Sequence, residues 1–74
     1  MNANTITKAE LRIGMLVQFK ADVEGIGEIV EMPNRYDPNT FGVNCSYHPQ
    51  ARAGTVYTYN VFSAKVGDKW FWVE

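Results

Sequence analysis

The sequence contains a single cysteine, Cys45, and this excludes a fold held together by internal disulfide bonds. An unpaired thiol is typical of a reducing compartment. The sequence also lacks any apolar run that approaches the length of a signal peptide or a membrane span. These absences predict a cytoplasmic protein that makes no contact with a membrane.

An excess of charge of either sign is missing as well. Seven basic residues oppose eight acidic ones, for a net charge of −1, and neither kind forms a block. A nucleic-acid-binding domain gains most of its non-specific affinity by neutralising phosphates, which requires a basic excess. The balance disfavours broad DNA or RNA binding and leaves a local nucleic-acid contact open.

The residue types that carry chemistry form no catalytic or metal-binding pattern. Cys45 falls on the apolar side of a predicted strand and His48 begins the following loop, so the pair does not match a nucleophile with its base. One cysteine and one histidine do not supply the roughly four ligands of a structural zinc site. Glu28 and Glu31 are expected on opposite faces of their strand. We therefore predict a non-enzymatic protein that uses no cofactor and no metal.

Aromatic residues, by contrast, are plentiful. Two Trp, four Tyr and four Phe residues occur among 74, and each buries on the order of 150–250 Å² when it is internal. A chain of this length is expected to form one domain, residues 1–74, and to bury only about 60–65% of its unfolded surface. Some aromatic side chains should complete the core, while others stay exposed for binding.

Alternation of apolar and polar residues predicts five β-strands, because successive side chains of a strand point to opposite faces of a sheet. The strands are expected at residues 15–20, 27–32, 41–47, 55–62 and 70–73. The hairpin loop at 20–25 and the connections at 33–40, 48–54 and 63–69 contain turn-forming residues. Short strands at this spacing indicate a barrel or a strongly bent sheet.

A short helical turn is predicted before the first strand. Thr7 and Glu10 match the Ser/Thr-x-x-Glu capping box, in which a hydroxyl and a carboxylate satisfy exposed backbone amides at a helix start. The chain allows little more than a single turn before Gly14. Leu11 is expected to lie beneath the barrel as a lid.

The first predicted hairpin contains Gly14-Met15-x-Val17 followed by Gly25-x-Gly27-x-Ile29-Val30. This pattern resembles the first hairpin of SH3-like barrels of the KOW and Tudor-like type, in which glycines precede the first strand and shape the bent second one. The resemblance implies an all-β, five-stranded SH3-like barrel with a short N-terminal helical turn, and a docking role toward proteins or nucleic acids. Unlike basic versions of such domains, this hairpin carries acidic residues: Asp22, Glu24, Glu28 and Glu31.

The two long loops are the best candidates for a binding surface. Arg35 and Tyr36 lie in the first loop, and His48 and Arg52 lie in the second. Arg and Tyr are over-represented among binding hot spots because they combine large contact areas with directed hydrogen bonds. We expect these residues to contact a partner at one rim of the barrel; the alternative is that they are ordinary solvent-exposed loop residues.

The last strand offers a further candidate surface. Trp70 and Trp72 share one of its faces, and Phe71 and Val73 share the other. One pair is expected to complete the core. The other covers the N-terminal turn or forms an exposed face for a partner or for a second copy of the chain.

These features predict a small non-enzymatic adaptor or inhibitor that binds a protein and modulates a larger machine, nucleic-acid-processing machines included. Stand-alone domains of this size resemble the accessory proteins of bacteria and their phages. Tyr57 and Tyr59 are expected on one face of strand four, where they would enlarge the tryptophan patch. The alternative function is a nucleic-acid module that stacks bases on Tyr36, Tyr57 or Tyr59, with Arg35 and Arg52 on phosphates.

Overall fold

Seven strands form a single mixed β-sheet in the computed structural model, which describes residues 4–20, 24–44 and 54–74. The strands are β1 (Thr5–Ile6), β2 (Leu16–Lys20), β3 (Glu24–Glu31), β4 (Thr40–Asn44), β5 (Gly54–Tyr57), β6 (Val61–Val66) and β7 (Lys69–Val73). The order across the sheet is β1-β7-β6-β2-β3-β4-β5, so β1 and β5 are its edges and the sheet is open. The chain is all-β, as predicted, but the predicted count of five strands is wrong.

The sheet curls strongly between β5 and β6. Tyr57 ends β5 and Val61 begins β6, yet these strands lie four places apart in the order β6-β2-β3-β4-β5. In a flat sheet, four spacings of about 4.8 Å would separate the strands by roughly 19 Å. Four chain steps span at most about 14 Å. The sheet therefore bends round to bring the two strand ends together.

The core fills the inside of this curl. Each strand from β2 to β6 contributes buried residues, and Leu11 joins them from the segment before β2; the set is Leu11, Val17, Phe19, Ile29, Phe41, Val43, Val56, Val61 and Ala64. The predicted burial of Leu11 is confirmed, since its side chain is fully buried. The alternation predicted for β2 and β4 is also confirmed, because buried residues there are separated by one less buried residue. Residues 45–47 of the predicted third strand lie outside the described residues.

β3 begins earlier than predicted and turns its glycines toward the core. The strand starts at Glu24, inside the predicted hairpin loop. Gly25 and Gly27 are buried and lie opposite Phe19 and Val17 in the β2–β3 ladder. Because glycine has no side chain, β3 adds no bulk to the inside of the curled sheet at these two positions.

An irregularity near the end of β3 places Glu28 and Glu31 on the same face. Glu28 lies opposite Asn44 and Glu31 lies opposite Gly42, so Val30 is an additional residue on this strand. The predicted placement of the two glutamates on opposite faces is wrong, because a bulge shifts the alternation by one residue.

The predicted fourth strand is in fact two strands separated by the 3₁₀ turn Thr58–Asn60. Val56 and Val61 both face the core, whereas an uninterrupted strand would place residues five positions apart on opposite faces. β6 then runs through most of a stretch predicted as a connection, which leaves Gly67 and Asp68 as the turn into β7. Gly67 has φ of +65°, a conformation that glycine adopts without steric cost.

The N-terminal segment contributes a strand that the sequence did not predict. β1 pairs in parallel with the end of β7. The amide of Trp72 donates to the carbonyl of Asn4 at 2.8 Å, and the amide of Glu74 donates to the carbonyl of Ile6 at 2.9 Å. The C-terminal strand is therefore not an edge strand over its last residues.

The predicted helical turn is present as a 3₁₀ turn at Lys8–Glu10, but the predicted capping box is not formed. The Thr7 hydroxyl makes no bond to a backbone amide and instead lies 3.4 Å from Oε1 of Glu10. The guanidinium of Arg12 donates to the carbonyls of Ala9 and Leu11, each at 2.7 Å, and so satisfies the end of the turn. Within the described ranges, no helix has the length and apolar character needed to cross a membrane.

Candidate partner-binding surfaces

The loop between β3 and β4 presents Arg35 and Tyr36 at the tip of a tight turn. The backbone of Asn34 exchanges two hydrogen bonds of 3.2 Å with that of Asp37. The Oδ1 atom of Asn34 also accepts the amides of Tyr36 at 2.8 Å and Asp37 at 3.0 Å. An Asn side chain that bonds the backbone two residues further on is a common turn former. The turn therefore fixes the backbone that carries Arg35 and Tyr36.

Arg35 and Tyr36 also contact each other. The Nη2 atom of Arg35 donates to the Tyr36 hydroxyl at 3.0 Å, and the guanidinium carbon lies 5.0 Å from the centroid of the ring. This separation is within the range of about 6 Å for a cation–π contact. Because Tyr36 is 83% exposed, the two side chains contact each other and yet remain accessible to a partner.

Tyr57 and Tyr59 form a second exposed pair. Tyr57 ends β5 and Tyr59 lies in the 3₁₀ turn that follows, so they do not share one strand as predicted. Their rings are stacked, with centroids 5.2 Å apart and planes 12° from parallel. Both side chains are more than half exposed. Each ring uses one face for the stack and leaves the other face available.

The two pairs lie at the same end of β4. The amide of Thr58 donates to the carbonyl of Asn39 at 2.8 Å, and Tyr57 lies opposite Thr40 in the β4–β5 ladder. Tyr36 precedes Asn39 by three residues, a distance of at most about 11 Å along the chain. The tyrosine rim consists of Arg35, Tyr36, Tyr57 and Tyr59.

Trp70 and Trp72 belong to a different surface, on the outer face of β7. They are 40% and 59% exposed, while Val73 packs against the core and Phe71 is half-buried. The predicted separation of the two faces of this strand is confirmed. The ring of Phe62 lies 6.2 Å from that of Trp72, at 35° to it. Among the described residues no ring contact joins either tryptophan to Tyr57 or Tyr59, so the tryptophans form a surface distinct from the tyrosine rim.

The surface around the tryptophans continues across β6, β2 and β3. Residues opposite each other in a ladder point to the same face, and the ladders connect Trp70 to Lys65, Trp72 to Ser63, Ser63 to Gln18, Gln18 to Ile26 and Leu16 to Glu28. Lys65 and Leu16 follow the Val17–Ala64 pair in the same register, and both line an open depression of about 320 Å³. This tryptophan face consists of Leu16, Gln18, Ile26, Glu28, Phe62, Lys65, Trp70 and Trp72; Ser63 points to the same side of the sheet but is buried.

Sequence reasoning missed Lys65 as a neighbour of the tryptophans. It assigned Lys65 to a connection, whereas the structure places it in β6 opposite Trp70. The signal was present in the turn: a two-residue hairpin loop at Gly67 and Asp68 pairs residue 66 with 69 and residue 65 with 70.

Two predicted contact residues, His48 and Arg52, lie outside the described residues, as does Cys45. Across residues 4–20, 24–44 and 54–74, no three His, Cys, Asp or Glu side chains come together as a metal ion would require.

Comparison with known proteins gives no relative for this chain. No protein-family model matches it, and no curated protein sequence and no solved structure matches it significantly.

Proposed function

We propose that this chain is a small protein-binding module without enzymatic activity, an adaptor or inhibitor that acts on a larger protein machine. The observation that carries the proposal is the tyrosine rim, where one Arg and three Tyr side chains are exposed at one end of the sheet. These residue types dominate binding hot spots. Contacts within each pair already order the side chains, so binding has less conformational entropy to remove.

The same proposal includes an SH3-like barrel formed by β2 to β6. Its support is the curl of these five strands, which brings the end of β5 to the start of β6, and Gly14, which precedes β2 with φ of +96°. The glycine pair of the motif, Gly25 and Gly27, lies on the inside of the bent strand β3. Residence in the cytoplasm belongs to the proposal too, and rests on the single cysteine.

Nucleic-acid binding is the second candidate function, and the stacked Tyr57–Tyr59 pair is the observation that favours it. Exposed aromatic faces bind bases by stacking, and each stacked base contributes about 1–3 kcal/mol. Charge argues against it, since the loop that carries Arg35 also carries Asp37 and the chain has no basic excess. Protein binding is therefore the favoured reading of the rim.

Capture experiments with rim variants test the protein-binding function. Immobilised chain is incubated with extract of the cells that produce it, with and without nuclease, and retained proteins are quantified by mass spectrometry. We expect a discrete partner whose capture survives nuclease. The variants Arg35→Ala/Tyr36→Ala and Tyr57→Ala/Tyr59→Ala should each bind this partner at least about 30-fold more weakly, because the loss of a hot spot costs ~2 kcal/mol of binding free energy. Lys69→Ala, an exposed change outside the rim, is the matched control and should retain the partner.

Two results would contradict the proposal. Equal capture by wild type and both rim variants, with circular dichroism showing that all are folded, would remove the rim as the binding site. Partners that disappear with nuclease would favour the second candidate. That candidate requires binding of labelled single-stranded oligonucleotides that weakens as salt rises and that Tyr57→Ala/Tyr59→Ala abolishes.

A further inference from the structure

The tryptophan face contains a row of residues whose two halves, on either side of a central residue, are complementary in charge and in size. Read across β7, β6, β2, β3 and β4, the row is Trp70, Lys65, Leu16, Glu28 and Asn44. Leu16 stands at the centre. The strands on either side of β2 carry a cation, Lys65, and an anion, Glu28. The next strands outward carry a large aromatic ring, Trp70, and a short amide, Asn44.

We propose that a second copy of this chain covers the tryptophan face, related to the first by a two-fold axis parallel to β2. In such an isologous contact each residue meets the position equally far on the other side of the axis. Leu16 then packs on Leu16 of the second copy, Lys65 faces Glu28, and Trp70 faces Asn44. The cation of the row thus meets the anion, the large aromatic ring meets the short amide, and the apolar side chain on the axis meets its own copy.

The shape of the sheet fits this arrangement. The outer face of a curled sheet is convex, so two copies packed face to face diverge away from the central strand. Trp70 lies two strands from β2, where the gap is wide, and its long side chain reaches across it to the short Asn44. Gln18, which is shorter, lies on the central strand β2, where the two sheets approach most closely.

The size of the chain also fits a second copy as the occupant. This chain exposes 5183 Å². A standard interface covers about 800 Å² on each partner, so a contact of that size would cover roughly 15% of the surface of each copy. Domains below about 70–80 residues rarely gain enough stability from one core, and oligomerisation is a common supplement. The tyrosine rim is not part of the contact, so each copy of the dimer keeps its rim available.

Charge reversal tests the pairing of Lys65 with Glu28. Sedimentation equilibrium of the full chain from micromolar to millimolar concentration should show a monomer–dimer equilibrium. Lys65→Glu and Glu28→Lys should each weaken it at least about tenfold, because each homodimer then holds two like-charge contacts. Lys69→Glu, the same change on the same hairpin but outside the row, should leave it unchanged.

An equimolar mixture of the two weakened variants provides the decisive comparison. In the mixed dimer both contacts again join opposite charges, so the dissociation constant should return to within about threefold of wild type. A wild type that stays monomeric to millimolar concentration would overturn the proposal, as would single variants that associate like wild type. Loss of association that mixing does not restore would also overturn it.

A symmetric crosslink gives an independent measurement should a charge variant fail to fold. In a Cys45→Ser background, Leu16→Cys places a thiol on the proposed axis, opposite the same thiol of the second copy. Packed sheets lie about 10 Å apart, too far for a direct disulfide, so a short bismaleimide crosslinker is used to join the two thiols. It should link this variant as a dimer well before Ile13→Cys, whose exposed position lies outside the face. Equal rates for the two variants would contradict the two-fold axis, and neither outcome bears on the tyrosine rim.

Discussion

At Gly42 the backbones of β3 and β4 approach so closely that they leave no room for a side chain. A Cβ atom on Gly42 would lie 2.8 Å from the Cβ of Glu31, an atom that the backbone holds in place. We predict that Gly42→Ala lowers the free energy of unfolding by about 1–3 kcal/mol, the usual cost of overpacking. Urea denaturation followed by tryptophan fluorescence measures the change.

The control for Gly42→Ala removes the opposing atom. Glu31→Gly eliminates the Cβ atom that causes the clash, so Gly42→Ala should cost less in that background than in the wild type. The double-mutant cycle should give a coupling of at least about 0.5 kcal/mol. Strictly additive losses would show that the cost of a side chain at Gly42 comes from the strand itself and not from Glu31.

At the scale of single residues, some contacts of the candidate site could be predicted from the sequence and others could not. The turn at Arg35 and Tyr36 follows from local chemistry, because Asn34 bonds the next backbone amides through its own side chain. The stacking of Tyr57 on Tyr59 does not, since it depends on a 3₁₀ turn that replaces the alternation of a strand. Local signals predict contacts within a turn, whereas tertiary packing decides where an alternating pattern stops.

Among the elements, the strand β1 stabilises the fold although it has only two residues. The side chain of Ile6 packs against the core, and its carbonyl accepts the amide of Glu74. We predict that Ile6→Ala lowers the free energy of unfolding by about 1–2 kcal/mol, below the ~2–5 kcal/mol of a fully buried site. Hydrogen exchange should show faster exchange of the Trp72 and Glu74 amides, which donate to this segment.

Ile13→Ala is the matched control for this prediction. Ile13 is 62% exposed, so the same truncation should change neither stability nor amide exchange appreciably. If Ile6→Ala left the exchange of Trp72 and Glu74 at the wild-type rate, β1 would have no part in holding the end of β7.

The elements also show why some strands were predictable. β2 and β4 alternate buried and less buried side chains, and β2 and the start of β4 were predicted to within one residue. β3 presents Gly25 and Gly27 to the core, so its inner face carries few side chains for a pattern to show. β1 has two residues, too few for any periodicity, and its pairing depends on a strand at the other end of the chain.

At the scale of the whole molecule, the sheet joins the two ends of the chain. Thr5 pairs with Trp72, whereas β2 and β3 pair through a short connection and β6 returns to β2 only after β4 and β5. Sheets dominated by such non-local pairing fold in milliseconds to seconds. Because β1 has two residues and pairs with β7 alone at the edge of the sheet, we infer that the β1–β7 contact forms late in folding.

This order of events predicts different kinetic effects for two core truncations. Ile6→Ala should accelerate unfolding and leave the refolding rate unchanged, because its contacts are absent from the transition state. Val17→Ala should slow refolding, since Val17 lies in β2, which pairs with both β3 and β6 at the centre of the sheet. Stopped-flow refolding and unfolding in urea measure both rates. Slower refolding of Ile6→Ala that accounts for its whole loss of stability would mean that the chain ends meet before the central strands are paired.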